Sequence, residues 1–249
     1  MKAVLIRAAC ILALATPALA ASIGLTNQGF ETADTTGWTN LGDVSVVPGA
    51  IVDLDNPRWS VGPFGNLMAQ LDTQPDLLVD IEAFLEIADG TLQPFNQNPL
   101  TVGSAIYQDF SGDAGDTLTE FWNFVTRDYF DYNDMAFAIV VEPDSTTSVS
   151  VLASIWDGGL EIGDEGATGW QQFDFTLSQT GTHRIAFVVM NSDDDSIDSV
   201  LFLDDQAGDF ENLNPPPPPV AEVPEPASLA IVGLGLTAIA ASLRRRKTL

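Results

Sequence analysis

Carboxylates are the groups most able to do chemistry in this chain, and they gather in two runs, DYFDYND at Asp128 to Asp134 and SDDDSID at Ser192 to Asp198. Either run supplies enough oxygens for a calcium loop. Neither has the alternate acids, central glycine and terminal Glu of an EF-hand. The first run also carries rings, and a flat ring stacks on a pyranose face while amides and carboxylates take its hydroxyls. Trp59, Tyr129, Tyr132, Asn133 and Asp134 are therefore the candidate ligand-binding residues, with Phe130 and Trp122 as further rings. Trp38, Trp122, Trp156 and Trp170 fall beside strand-like stretches and are expected in the core.

Hydrolytic chemistry finds little support. His183 is the single histidine, Cys10 the single cysteine, and there is no Gly-x-Ser-x-Gly elbow or His-rich zinc pattern. Most serine, cysteine and zinc hydrolases are thereby excluded, and no catalytic residue is assigned. A glycoside hydrolase needs only two carboxylates, so an envelope-bound polysaccharide-acting enzyme stands as the alternative, without any pair of acids singled out.

Charge narrows the partners. Nine Lys and Arg face thirty-five Asp and Glu, a formal net charge of −26. Six of those cations lie at the ends, Lys2 and Arg7 near the start and Arg244 to Lys247 near the finish, which leaves −32 for the rest of the chain. Only Arg58, Arg127 and Arg184 interrupt the body. Such a surface argues against nucleic acid and anionic lipid, and favours cations, divalent ones especially.

The elements that must position these groups read mostly as strands. VSVV (44–47), MAFAIVV (135–141), SVSVLASIW (148–156), QQFDFTL (171–177), HRIAFVVM (183–190) and VLFLDD (200–205) alternate or run apolar between turn residues. The intervening SGDAGD, EPDST, DGG, SQTGT and NSDDDS are turn chemistry. Many closely spaced strands without alternating long helices predict an all-β, antiparallel sandwich over residues 21–211. One short helix is expected in PDLLVDIEAFLEIADG, with Asp76 as its N-terminal charge and Gly90 as its stop, closing one end or face of the sandwich.

The ends are of a different kind. Lys2 and Arg7 precede an apolar run from Ala8 to Ala15, Pro17, and the small-residue site Ala18-Leu19-Ala20. That is the layout of a secretory signal helix, residues 1–20, which would carry Cys10 away with it. At the other end, residues 212–222 form a proline-rich linker whose five consecutive prolines, Pro215 to Pro219, make a stiff polyproline II spacer. Ala227 to Leu243 has seventeen residues without charge, about 26 Å as a helix, near the lower limit for a transmembrane span. The four cations that follow would hold the C-terminus in the cytoplasm and the body outside.

NQGFETADTTGW at Asn27 to Trp38 and FLDD at Phe202 to Asp205 resemble the opening and closing strands of carbohydrate-binding-module-like jelly rolls. IEAFLEIADGTL, GSAIYQDF, GDTLTEFWNFVTRD, YNDMAFAIV and DSVLFLDD resemble, in that order, a family of bacterial PEP-CTERM surface proteins. The resemblance covers most of the body. It departs at FLDDQAG, which lacks the apolar residue usual after the second Asp, so the last strand is expected to finish early. In such jelly rolls a structural calcium often lies where the first and last strands meet. Carried over by position, its ligands would be the carbonyl of Asn27, Glu31, and Asp204 or Asp205, pinning the two ends of the domain together.

Val223-Pro224-Glu225-Pro226, just before the apolar run, matches the sorting signal of the same family. Prolines on either side keep Glu225 extended and out of the helix. The resemblance implies recognition and cleavage of residues 223–249 by a membrane-embedded exosortase, after membrane anchoring through the C-terminal helix. The expected product is an exported, non-enzymatic protein of the cell surface or exopolysaccharide matrix (biofilm) of a Gram-negative bacterium, carbohydrate-binding and calcium-stabilised. Extracellular polysaccharide is its expected partner.

Overall fold

The computed structural model describes residues 20–52 and 58–213. Residues 1–19 of the signal segment, 214–222 of the expected linker, the sorting motif and the expected transmembrane span lie outside the described residues, while Asn212, expected to open the linker, belongs to a strand of the body. Among the described residues no helix is long and apolar enough to cross a membrane.

In chain order the strands are β1 (Ser22–Ile23), β2 (Thr39–Leu41), β3 (Val44–Val47), β4 (Ala50–Val52), β5 (Trp59–Val61), β6 (Met68–Asp72), β7 (Asp76–Leu77), β8 (Leu100–Gly112) and β9 (Thr117–Val125). They continue with β10 (Met135–Val141), β11 (Thr147–Ser154), β12 (Leu160–Glu161), β13 (Gln171–Thr176), β14 (Gly181–Ser192), β15 (Val200–Asp204) and β16 (Phe210–Asn212). The helix α1 (Leu78–Leu85) lies between β7 and β8.

Two sheets make the sandwich. One runs β13, β9, β15, β6, β3, and β1 shares the β15 edge of β9. The other runs β12, β11, β10, β14, β8, with β2 and β7 both on the outer edge of β8. The chain crosses from sheet to sheet at β6, β8, β9 and β10, turns back through β11, and recrosses at β13, β14 and β15. Each returning strand slots beside an earlier one, β14 between β8 and β10, and β15 between β6 and β9. That interleaving is the jelly roll. Pairing is antiparallel except for the two-residue contacts of β1 with β9 and β12 with β11.

Apolar pattern decides which strands are central. In β10, Ala136, Ala138 and Val140 face the core between the sheets while Met135, Phe137 and Ile139 face a second core under α1. β15 does the same, with Leu201 and Leu203 inward and Val200 and Phe202 outward against a small third sheet of β4, β5 and β16. Strands covered on both faces lose their alternation and read as continuous apolar runs. β13, QQFDFT, keeps its alternation because it sits at the sheet edge with one face in water. The chain is therefore layered as helix, sheet, sheet and small sheet, the last closed by the Trp59 ring stacked on Phe210 at 5.2 Å.

The helix does cover a face, but it stops earlier than Gly90. Glu86 takes the left-handed conformation at φ 59°, and its N–H and that of Ile87 return to the Ala83 and Glu82 carbonyls. The reason is Glu82, buried on α1, whose carboxylate accepts the N–H groups of Gly90 at 2.7 Å and Leu92 at 2.8 Å and so folds the chain back over the helix end. Asp76 belongs to β7 rather than to the helix start.

Arg184 ties that helix end to the sheet. Its guanidinium lies 3.8 Å above the Tyr107 ring, donates to both Asp109 oxygens at 2.7 and 3.1 Å, and reaches the Leu85 carbonyl at 3.2 Å. A cation at the carbonyl end of a helix is also favoured by the helix dipole. Arg184→Leu is expected to lower stability by about 1–3 kcal/mol, read as a lower urea midpoint with an unchanged slope. An unchanged midpoint would mean the contact is ornamental.

Candidate functional site

Two places concentrate polar chemistry. The first is where the two ends of the domain meet on β9. β15 ends with Asp204 opposite Phe121, and β1 ends with Ile23 opposite Leu118. Glu120 stands beside the gap between them. Strand alternation turns it toward the same inter-sheet core as Leu118 and Trp122. It is fully buried, and neither carboxylate oxygen receives a hydrogen bond. Burial, and then the charges of Asp205 and Asp204, hold its carboxyl well above the usual range, with some relief from the nearby Gln28 amide. That amide itself donates to the Thr119 carbonyl at 2.7 Å.

Asp204 is buried as well. Its Oδ2 accepts the Phe64 N–H at 2.9 Å and its Oδ1 the Asp205 N–H at 2.7 Å, while burial pushes its carboxyl up to about 7. Asp205 lies against the opening segment. A Cβ built on Gly29 would meet the Asp205 carboxylate at 3.1–3.2 Å, so the glycine permits the approach. Asn27, at φ 50°, points its carbonyl at the Phe30 N–H (3.1 Å) and the Trp38 Nε1–H (3.3 Å). Glu31 accepts the Asn66 N–H at 2.6 Å, the Asn66 side-chain amide at 3.0 Å and the Leu67 N–H at 3.2 Å, and these donors, Asn66 first, hold its carboxyl below the usual range. The fold thus brings Asp205 to the opening loop and Asp204 to Phe64, engages Glu31 with Asn66 and Leu67 and the Asn27 carbonyl with Phe30 and Trp38, and adds Glu120, which sequence reasoning missed. Its signal was a lone acid in the inward phase of TLTEFWNF. Among the described residues no three carboxylate, imidazole or thiol side chains converge into a ready-made metal site, so a calcium shell here would need main-chain carbonyls too.

The second place is the end of the sandwich where the two acidic runs meet. Asp134 is buried, accepting the Ser192 N–H at 3.0 Å and the Ser199 hydroxyl at 2.6 Å. Burial, with the charge of Asp128 beside it, holds its carboxyl well above the usual range. Asp128 accepts the Tyr129 N–H at 2.9 Å through one oxygen, while the other is buried without a partner. Burial, and then Asp194, push its carboxyl up to about 6. Asn133 is buried too, its side-chain oxygen accepting the Trp156 N–H at 3.0 Å and its nitrogen facing Asn96 Oδ1 at 3.3 Å.

Beside this buried network lie four rings, Tyr129 and Phe130 exposed and Tyr132 and Trp156, the latter expected in the core, half-buried. Tyr129 and Tyr132 meet edge to face at 5.1 Å, and Phe130 tilts against Trp156 at 5.6 Å. Tyr129 is 45% exposed and Phe130 64%. Of the ligand-binding candidates, the two tyrosines belong to this cluster, whereas Asn133 and Asp134 lie beneath it. Trp59 is half-buried in the small sheet, its indole N–H on the Glu165 carbonyl at 3.1 Å, and the Glu165 N–H reaches the Asp128 carbonyl at 2.9 Å. The same short loop therefore links Trp59 to the aromatic end. Trp38 and Trp122 are buried in the main core. His183 is buried and stacked on Phe110 at 5.5 Å, a core position.

Residues 222–247 match the PEP-CTERM protein-sorting motif. No curated protein matches the chain. Solved structures similar to it include the carbohydrate-binding module TmCBM61 in complex with β-1,4-galactotriose, at 15% identity over 76% of this chain and 97% of that one, TM-score 0.41. A CBM22 xylan-binding domain from Paenibacillus barcinonensis is similar at 10% identity over 80% and 100% of the two chains, TM-score 0.34. The K3 cleaved adhesin domain of Lys-gingipain from Porphyromonas gingivalis is similar at 14% identity over 71% and 95%, TM-score 0.33.

Proposed function

We propose that this protein is an exported, non-enzymatic component of the cell surface or exopolysaccharide matrix of a Gram-negative bacterium. It is delivered through its C-terminal sorting segment, binds carbohydrate through the Tyr129–Tyr132 loop, and is stabilised by calcium where its two ends meet. The sorting motif at residues 222–247 carries the reading. An exosortase is the processing partner. Val223-Pro224-Glu225-Pro226 is the sequence it recognises, and the uncharged Ala227 to Leu243 stretch with its basic stop holds the chain at the membrane until cleavage.

Burial of the perturbed carboxyls favours binding over hydrolysis. Glu120, Asp128, Asp134 and Asp204 are all inside the domain, out of reach of a polysaccharide, whereas a glycoside hydrolase needs its two acids at the scissile bond. The exposed rings are of the kind that stack on sugars. For calcium, the support is Glu120, a buried carboxylate with two idle oxygens next to Asp204 and Asp205. Glu120 would be the side-chain ligand, main-chain carbonyls would complete the shell, and the ion would supply the counter-charge for Glu120 and the neighbouring Asp204 and Asp205.

The test is a pull-down of the exported protein on the producer's own extracellular polysaccharide. Wild type is expected in the bound fraction, and Tyr129→Ala together with Phe130→Ala is expected to reduce retention about tenfold, a loss of one or two stacking contacts. Equal recovery of both proteins in the unbound fraction would overturn the binding role.

A further inference from the structure

We infer that the aromatic cluster of Tyr129, Phe130, Tyr132 and Trp156 takes cationic amino-sugar polymers, hexosamine chains with free amines, in preference to neutral or uronic-acid polysaccharides. This rests on the carbohydrate-binding reading and names the substrate class for the same site.

The argument is one of charge complementarity around the rings. Asp131 is exposed in the loop between Phe130 and Tyr132. Asp157 follows Trp156 and is held by the Gln97 amide at 2.6 Å. Asp194 acts on both Tyr132 and Asp128, and the Tyr132 phenol is raised above its usual range first by Tyr129 and then by Asp194. Beneath them, Asp128 keeps one oxygen without a hydrogen bond. Carboxylates thus lie beside and below the rings.

Among the described residues the arginines are engaged with other groups. Between Lys2 and Lys247 the chain has no lysine. Arg127, next to Asp128 in sequence, is turned to Asp198, with its Nε on the carbonyl at 2.7 Å and its guanidinium 3.3 Å from the carboxylate. Arg184 is engaged with Asp109 and Tyr107, and Arg58 has a partner of its own. Arg184 is also eight residues along β14 from Ser192, on the order of 26 Å from the Asp134 network.

Ring faces and carboxylates attract the same kind of group. The face of an aromatic ring is negative and draws an ammonium, as Tyr107 already does for Arg184 in this domain. A sugar ring with a C2 ammonium would stack its carbon face on Tyr129 or Phe130 and turn its charge to Asp131, Asp157 or Asp194. N-acetylation removes the charge. A uronate reverses it and meets only like charge.

Titration calorimetry on the intact exported protein at about pH 6, where hexosamine amines are protonated, separates the possibilities. The probes are a β-1,4-linked glucosamine hexamer, its fully N-acetylated form, a cello-oligosaccharide and an oligogalacturonate. The amine oligomer is expected to bind at least tenfold more tightly than the acetylated one, and that advantage is expected to shrink in about 0.5 M salt through screening. Tyr129→Ala with Phe130→Ala should weaken binding of both about tenfold. Asp131→Asn should narrow the gap between them while leaving the acetylated oligomer unaffected. If the acetylated or neutral oligomers bind as tightly as the amine, the inference falls and the carbohydrate-binding reading stands. If no oligomer binds, both fall. If the amine oligomer binds the aromatic double variant unchanged, the attraction is to the acidic surface at large and the inference is overturned.

Discussion

In chelator at pH 7.5, Glu120→Gln is expected to melt above the wild-type protein, and in millimolar calcium below it. Glu120 has two buried oxygens without a hydrogen bond, and its charged neighbours Asp205 and Asp204 are of the same sign. Without a cation the folded state must either bury an unpaired charge or keep a proton that neutral solution would remove. Either costs free energy, roughly 2–4 kcal/mol, and an isosteric amide avoids it. For a domain of this size each kcal/mol is worth about 2–4 °C, so the variant should gain on the order of 5–10 °C without calcium. With calcium the order reverses, because the wild-type carboxylate gains a counter-ion and the amide offers one weak oxygen. Melts that keep the same order in chelator and in calcium would remove calcium from this site. A variant less stable in both would point to a hydrogen-bonded Glu120 instead.

Calcium-free stability is expected to fall as pH rises from about 4 to about 7. Burial raises the carboxyls of Asp128 to about 6 and Asp204 to about 7, and holds those of Glu120 and Asp134 well above the usual range. A carboxyl with a raised folded value keeps its proton in the native state while the unfolded chain has lost it near pH 4. Protonation then favours the fold, fully below pH 4, and the advantage drains away at about 1.4 kcal/mol per pH unit and per group until the native carboxyl ionises too. Asp128 therefore contributes its slope between about pH 4 and 6, and Asp204 between about pH 4 and 7. Glu31, Asp34, Asp116, Asp144 and Asp174 are shifted the opposite way by hydrogen bonds, but they lie at the surface, where solvent screens them. The buried set should dominate. In chelator, the melting midpoint near pH 5 is expected to exceed that near pH 8 by about 5–10 °C. Calcium should flatten the upper limb by supplying the charge that protons supplied. Asp128→Asn should flatten the stretch between about pH 4 and 6 even without calcium. A midpoint that climbs with pH in chelator would show that these carboxyls are paired or hydrated in solution.

Much of the fold was legible because its evidence is local. MAFAIVV and VLFLDD announce central strands through apolar residues at every position, since both faces of β10 and β15 are covered. QQFDFT announces an edge strand through its alternation. Signals that act at a distance were harder to read. Gly90 looked like the end of the helix, but Glu82, reaching across the turn to Gly90 and Leu92, stops α1 at Leu85. Asn133 and Asp134 looked like sugar-binding groups beside tyrosines, yet their amide and carboxylate are spent on Trp156, Asn96, Ser192 and Ser199. A side chain's type is local information, whereas the partner that occupies it is not.

What sequence alone determined is the class of the body, the acidity of its surface, and the address at its end, because composition, a period of two and a short motif all survive without a third dimension. Only the tertiary structure decided that Glu120 lies near Asp204 and Asp205, and that DYFDYND and SDDDSID meet in one place rather than two. Glu120 and Asp205 are 85 residues apart, and the two acidic runs are separated by the whole of β10 through β14. They meet because β15 inserts between β9 and β6 in one register and not another. Register is set by how two apolar faces pack, and a shift of one residue would turn every side chain of that strand to the opposite face.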